Sequence, residues 1–288
     1  MKNYIRLLKC KHYLKNLLVL FSIVFSSNLF QMNILIDAMV GFLIFSLASS
    51  VVYIFNDIRD VERDRLHPIK SMRPLASGSI SIKKAYFIEI VLVIFIILLN
   101  IVFKANVKSF LIVTIYLIIN FAYSLGLKDY VLIDIIILAL GFVLRLLYGG
   151  IITDIGVSNW MFLTVVSAAF YLSLGKRLKE LIKYGDAIRK SLSGYTVTFL
   201  KESMHISMSL TIVFYALSCS DKTTTVAQHG VNLLWTVPIV LIICLRYNLI
   251  LEKNEIDGDP VEVVLKDKAL LSLIGFYACI ILLLLYVF

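Results

Sequence analysis

The sequence predicts an all-α integral membrane protein with nine transmembrane helices in one polytopic domain, residues 1–288. Three observations carry that expectation. Of the 288 residues, 60% are hydrophobic and 16% charged, with a mean hydropathy of +0.92; a soluble domain of this length needs more polar surface. Stretches such as Val91–Asn100 and Ile280–Phe288 offer no polar face to water. The cations, finally, are distributed unequally between alternate connecting segments.

Apolar runs of roughly 18 or more residues read as spanning helices. They fall at about 14–30, 33–55, 83–103, 107–125, 130–151, 157–174, 201–218, 230–251 and 268–288. The first follows a basic stretch, as a signal peptide does. It lacks a small-residue cleavage site and precedes eight more spans, so it is kept as a helix. Cys10, Cys219, Cys244 and Cys279 are scattered without metal-type spacing and read as small apolar packing residues.

Five segments share the N-terminal side of nine spans and hold 24 of the 28 lysines and arginines. The opposite side has Lys104, Lys108 and Lys222, and Arg145 lies within a span. The positive-inside rule then places the N-terminus in the cytoplasm and the C-terminus outside. A bacterial-type plasma membrane is the expected setting. Topology and anionic lipid account for such a bias by themselves. They do not require the mixture of acids and bases in the two long cytoplasmic loops, about 56–82 and 175–200.

The segment Asn56–Gly78 reads NDIRDVERDRLHPIKSMRPLASG. If the second helix continues past the membrane surface, Asn56, Asp57, Asp60 and Asp64 fall within an arc of about 100°. Such a set of oxygens is repulsive unless cations join it, and suits Mg²⁺ shared with a substrate phosphate. The plain alternative is a solvated helix end with ion pairs to Arg59, Arg63 and Arg65. Pro68 and Pro74 stop the helix, Gly78 permits a turn, and Lys70 and Arg73 stand between them to meet phosphate oxygens.

The pattern NDxxDxxxD followed by HPxKxxRPLASG resembles the first signature of the UbiA superfamily of intramembrane prenyltransferases. The resemblance implies a Mg²⁺-held diphosphate and a fold of nine helices around a central cavity. Aromatic prenyltransferases of that superfamily carry a second acidic cluster, DxxxD, after the sixth helix. Here Tyr171–Thr196 has Glu180 and Asp186 at another spacing, among Lys176, Arg177, Lys179, Lys183, Arg189 and Lys190. Cations in place of acids suggest a second anionic ligand bound directly by protein charge.

That departure, with Gly175-Lys176-Arg177 ahead of Glu180, resembles the polyprenyl-phosphate phosphoribosyltransferase branch. His12–Val19 is similar to its opening WxKN segment, with Cys10 for the usual Pro and Tyr13 for the usual Trp. Ala122–Gly150 resembles its fourth and fifth helices, and Gly258–Asp267 its last cytoplasmic loop. Within the membrane, Asp134 and Arg145 share a helix face about 16 Å apart. An intramembrane arginine normally faces a wet or protein interior. The pair is expected to line the cavity, the alternative being a structural interhelical pair.

The resemblance implies an enzyme, a pentosyltransferase. It would move 5-phosphoribosyl from 5-phosphoribosyl 1-diphosphate to a polyprenyl phosphate, with Mg²⁺ as cofactor. Asp57, Asp60 and Asp64 are the expected catalytic residues and, with Asn56, the metal ligands. Carried over by motif, Lys15, Tyr53, Lys70, Lys128 and Arg145 surround the donor, and Lys176 and Arg177 hold the acceptor phosphate. Arg73, Tyr123 and Asp134 are further candidates for substrate binding. The attacking phosphate is already anionic, so His12, His67, His205 and His229 are not expected to act as a base. The cytoplasmic loops are expected to cap the site. Membrane lipids are partners, nucleic acid is not, and a homo-oligomer is left open. The rivals are a prenyl-diphosphate-dependent aromatic prenyltransferase and a transporter. The latter's paired Gly/Pro-interrupted spans are weakly represented in a chain with four prolines.

Overall fold

The computed structural model describes residues 2–66, 70–103, 106–186, 189–221, 232–253 and 258–287, and every regular element among them is helical. His67, Pro68, Lys104, Lys222 and His229 lie outside the described residues. The short helix α1 (Lys2–Leu8) leads into a 3₁₀ segment, Cys10–Leu20, which continues as α2 (Phe21–Phe25). Then come α3 (Met32–Arg59), α4 (Val61–Arg65), α5 (Ile82–Val102), α6 (Val107–Leu125), α7 (Ile133–Ile152) and α8 (Asn159–Tyr184). The chain ends with α9 (Val197–Ser220), α10 (Val237–Glu252), α11 (Pro260–Lys266) and α12 (Lys268–Tyr286).

Among the described residues, eight helical stretches are long and apolar enough to cross a membrane, and this is a multi-pass membrane protein. The expected count of nine spans holds approximately, and the first of them differs from the rest in its winding. Residues 14–30 fold as the end of the 3₁₀ segment plus α2.

Outward faces are apolar: Phe87, Ile90, Ile94, Val102 and Ile118 are all exposed on α5 and α6. Such surface suits lipid and would be a large apolar patch in water. The polar groups turn inward. Asn16 donates to Ser46 Oγ (3.0 Å) and accepts from Ser49 Oγ (3.3 Å), tying the N-terminal segment to α3. Gly149 lets the same segment lie against α7, because a Cβ there would stand 2.1 Å from the Val19 carbonyl oxygen. One apolar cluster gathers around Phe45, Val51, Tyr116 and Tyr148. Another, around Leu174, Leu200, Tyr247 and Val263, joins the later helices.

Candidate active site

The helix ends and loops that follow α3, α6, α8 and α10 meet at one end of the bundle. They enclose a cavity of about 320 Å³. Asn56 and Asp60 from the first charged loop and Lys176 from the second line this one cavity. The acidic and basic clusters therefore share a compartment.

The acidic wall is less uniform than helical periodicity implies. α3 ends at Arg59, and Asp60, at φ −94° and ψ 5°, forms the joint to α4. Asp64 thus belongs to a separate helix. Asp57 (1% exposed) and Asp64 (3%) sit behind Arg73, which lines the cavity. One Arg73 nitrogen, Nη1, donates to Asp57 Oδ1 (3.0 Å) and Asp64 Oδ2 (2.7 Å). Lys9 Nζ also donates to Asp57 Oδ1, at 2.7 Å. Lys128 grips both oxygens of Asp60, at 2.7 and 3.0 Å, and is itself buried beside it rather than on the wall. Asn56 Oδ1 accepts from Ser124 (3.2 Å). Burial holds the Lys9 ammonium below its ordinary pKa, although Asp57 opposes that shift. Burial, then Arg73, lowers that of Lys70, another lining residue.

The 3₁₀ segment makes the second wall. At three residues per turn, side chains at i and i+3 eclipse, so Lys9 at its cap, His12 and Lys15 form one row, all lining the cavity. The neighbouring row anchors the segment: Tyr13 bonds Ser50 (2.8 Å), Asn16 bonds Ser46, and Val19 is fully buried. Tyr53 packs against His12, ring centroids 5.1 Å apart, and Lys9 lies 5.1 Å from the Tyr53 centroid.

Arg145 stands deeper in the cavity lining. Its Nε donates to Asn16 Oδ1 (2.7 Å), Nη1 to the Gly141 carbonyl, and Nη2 to the Tyr116 hydroxyl (3.1 Å). The guanidinium also lies 5.1–5.8 Å from the rings of Tyr116, Phe45 and Phe142. All these partners are neutral. They fix the arginine without cancelling its charge, so it presents a positive floor to an anion.

Asp134, expected beside Arg145 on the wall, is instead fully buried with Arg177, Nε to Oδ2 2.6 Å. The hydrogen bonds to Asp134 come from Tyr195 and Ser191, at 2.6 and 3.1 Å. Arg177 completes its set with Glu180 and with the Tyr123 hydroxyl (2.9 Å). The expectation that Lys176 and Arg177 jointly face the acceptor is corrected accordingly. Adjacent residues on a helix point about 100° apart, and only Lys176 reaches the cavity. Tyr123 does line it, where its hydroxyl accepts from both Arg177 and Arg189.

The last wall is the turn Gly258-Asp259-Pro260. Asp259 caps α11 at the Val261 N–H (3.0 Å), and Pro260 takes the first helical turn, where its missing donor costs nothing. Gly258 lies against α8 so closely that a Cβ would stand 2.6 Å from Lys179 Cβ. Asp259 thereby meets Lys15 (3.0 Å), His12 Nδ1 (3.7 Å) and Lys176 (3.9 Å). Burial raises its pKa, but Lys15 and Lys176 outweigh burial and hold it well below the usual carboxylate range. Lys9, His12, Arg189 and Asp259 line the cavity but were not among the expected site residues. The Asp-Pro helix-start pattern could have flagged Asp259, the period-three row from Lys9 to Lys15 the first two, and the cationic second loop Arg189.

Among the described residues no three or more His, Cys, Asp or Glu side chains form a ready-made metal cage. Mg²⁺ needs less, since it usually takes one or two carboxylates and completes its shell with phosphate and water. Asp57 Oδ2 is buried without a hydrogen-bond partner, and Asn56 and Asp60 are on the wall nearby. These hard oxygens fit that ion.

Acids at one helix end and cations around a shared cavity, inside a lipid-facing bundle, form a compartment suited to holding phosphate groups. The model of the UbiA prenyltransferase family matches residues 17–257, and the chain belongs to that family. Decaprenyl-phosphate phosphoribosyltransferase of Corynebacterium glutamicum is 31% identical over 276 residues, 92% of this chain and 81% of that protein. Its counterpart in Mycolicibacterium smegmatis is 32% identical over 240 residues, 80% and 74% of the two chains. A UbiA homolog from Archaeoglobus fulgidus, bound to GPP and Mg²⁺, matches with a TM-score of 0.70 at 20% identity, over 97% of this chain and 99% of that one. At that identity the likeness concerns the fold.

Proposed function

We propose that the cavity transfers 5-phosphoribosyl from 5-phosphoribosyl 1-diphosphate to a polyprenyl phosphate, releasing diphosphate. The observation that carries this reading is the joining of Asp60 and Lys176 in one compartment, an acid end for a metal-held diphosphate facing a cation for a second phosphate. The relatives named above are phosphoribosyltransferases at about 30% identity, which supports the same substrates here.

Asn56, Asp57 and Asp60 would hold Mg²⁺, which when bound offsets charge on the departing diphosphate, and Asp64, buried behind Arg73, would orient that arginine. Lys9, Lys70 and Arg73 receive donor phosphate oxygens on that wall, and Lys128 keeps Asp60 oriented. Lys15, Tyr53 and Arg145 complete the donor's surroundings. Lys176 takes the acceptor phosphate. One of its anionic oxygens attacks the anomeric carbon as the bond from that carbon to the diphosphate oxygen breaks. No general base is required.

At a distance from the charged cavity, α2, α8, α9, α10 and α12 enclose a second one of about 270 Å³, lined by side chains such as Phe21, Val165 and Ile243. It offers the acceptor's polyprenyl chain an apolar seat. The cation bias of the loops supports a cytoplasmic N-terminus and charged cavity, where a water-soluble donor is available. A prenyl-diphosphate donor with an aromatic acceptor fits less well, because Glu180 is committed to Arg177 and Lys176, Lys179 and Lys183 line the wall.

Membranes containing the protein, given labelled donor and polyprenyl phosphate, should form a labelled lipid only when Mg²⁺ is present. Absence of that lipid under these conditions refutes the assignment.

A further inference from the structure

Most charged groups on the cavity wall suit phosphate, but His12 is of another kind. It stands in the row between Lys9 and Lys15 and beside the Tyr53 ring. Its Nδ1 is buried, makes no hydrogen bond, and lies 3.7 Å from Asp259 Oδ1. Burial pushes its pKa down to about 4; Asp259 opposes this, and Lys15, Lys9 and Lys176 reinforce it. Near neutral pH the ring is uncharged, with one N–H and one bare nitrogen.

Which nitrogen holds the proton follows from the neighbours. Asp259 Oδ1, 3.7 Å away and beyond hydrogen-bond reach, favours the proton on Nδ1 through its negative charge, leaving Nε2 as an acceptor. Ionised phosphate oxygens have no hydrogen to give and cannot satisfy that nitrogen. A sugar hydroxyl can. A prenyl diphosphate, the donor in the rival reading, carries no hydroxyl at all.

We propose that His12 is a specificity-determining residue for the donor, its Nε2 accepting a hydrogen bond from a ring hydroxyl of the pentose while Lys9 and Lys15 on either side hold phosphate. This rests on the phosphoribosyl reading and names the part of the substrate that the cations do not recognise. Asp259 acts through His12 as a positioning residue, setting the tautomer that makes the ring an acceptor.

Calorimetric titration of the purified full-length protein in detergent with Mg²⁺ tests this. The ligands are 5-phosphoribosyl 1-diphosphate, its 2-deoxy and 3-deoxy analogues, and inorganic diphosphate. The wild type should prefer the ribosyl donor over one deoxy analogue by about five- to tenfold, the scale of one neutral hydrogen bond. His12→Ala should lose that preference and His12→Gln, whose amide oxygen also accepts, should keep it. Inorganic diphosphate should bind all three proteins alike. His12→Leu repeats the comparison with more of the ring's volume retained. Preference for the ribosyl donor undiminished in the alanine and leucine variants overturns the inference, as does parallel loss of diphosphate binding. A wild type that binds diphosphate but not the ribosyl donor overturns the phosphoribosyl reading itself, and the inference with it.

Discussion

Asp134 on α7 and Arg177 on α8 form an ion pair of 2.6 Å in which neither side chain is exposed. Lys176, one residue earlier, lines the cavity. Two adjacent cations therefore have separable duties. Arg177→Met leaves Asp134 buried without its ion partner, a loss on the order of 3–5 kcal/mol, and should lower the thermal unfolding temperature sharply. Lys176→Met should leave unfolding nearly unchanged and raise the acceptor KM by about tenfold or more. Equal melting of the two variants would contradict this division.

Asp60 is the acid of the motif that lines the cavity and is gripped by Lys128. Asp60→Ala should reduce turnover by at least ~100-fold, the scale for losing transition-state charge stabilisation. Initial rates of labelled lipid formation at saturating Mg²⁺ measure it. Activity within a few-fold of wild type would assign the acidic end a purely structural role.

The depressed pKa of His12 has a signed effect on stability. In the unfolded chain a histidine takes up its proton as pH falls through about 6.5, whereas in the fold it does so only near about 4. The unfolded state binds more protons between those values, so His12 lowers stability progressively as pH falls from about 6.5 to about 4. His12→Gln should lack this component. Melting temperatures from pH 7.5 to 4.5 should converge or cross for the two proteins, and parallel curves would rule the effect out.

Ile243 lines the apolar cavity with Phe21 and Val165. Ile243→Trp fills part of that space. It should raise the KM for a long-chain acceptor several-fold while leaving a short-chain phosphate nearly unaffected, because only the long chain loses buried apolar contact. Equal effects on both acceptors would place the tail elsewhere.

Sequence patterning located the spans well because lipid-facing helices such as α5 and α6 have unbroken apolar runs, and membrane thickness sets their length. The winding of the first span was not legible, because hydropathy does not distinguish a 3₁₀ from an α-helix. The motif in the first loop named the acids, yet the joint at Asp60 that separates Asp57 from Asp64 depends on packing and left no local signature. Asp134 and Arg145 do occur on the same helix at the expected interval. Their separate fates were set by Arg177 and Asn16, partners supplied from α8 and the N-terminal segment. Asp259 acquires its cations through Gly258 resting on α8, a contact between residues far apart in the chain.

The pitch of Cys10–Leu20 has a consequence for reading relatives. Rewound as an α-helix, the same eleven residues would be shorter by about 5 Å. Successive members of the row from Lys9 to Lys15 would also step sideways by about 60° each instead of eclipsing. A homologue could keep every one of these side chains and still aim them at different targets. Matching letters in this stretch therefore transfer a binding role only when the winding matches too.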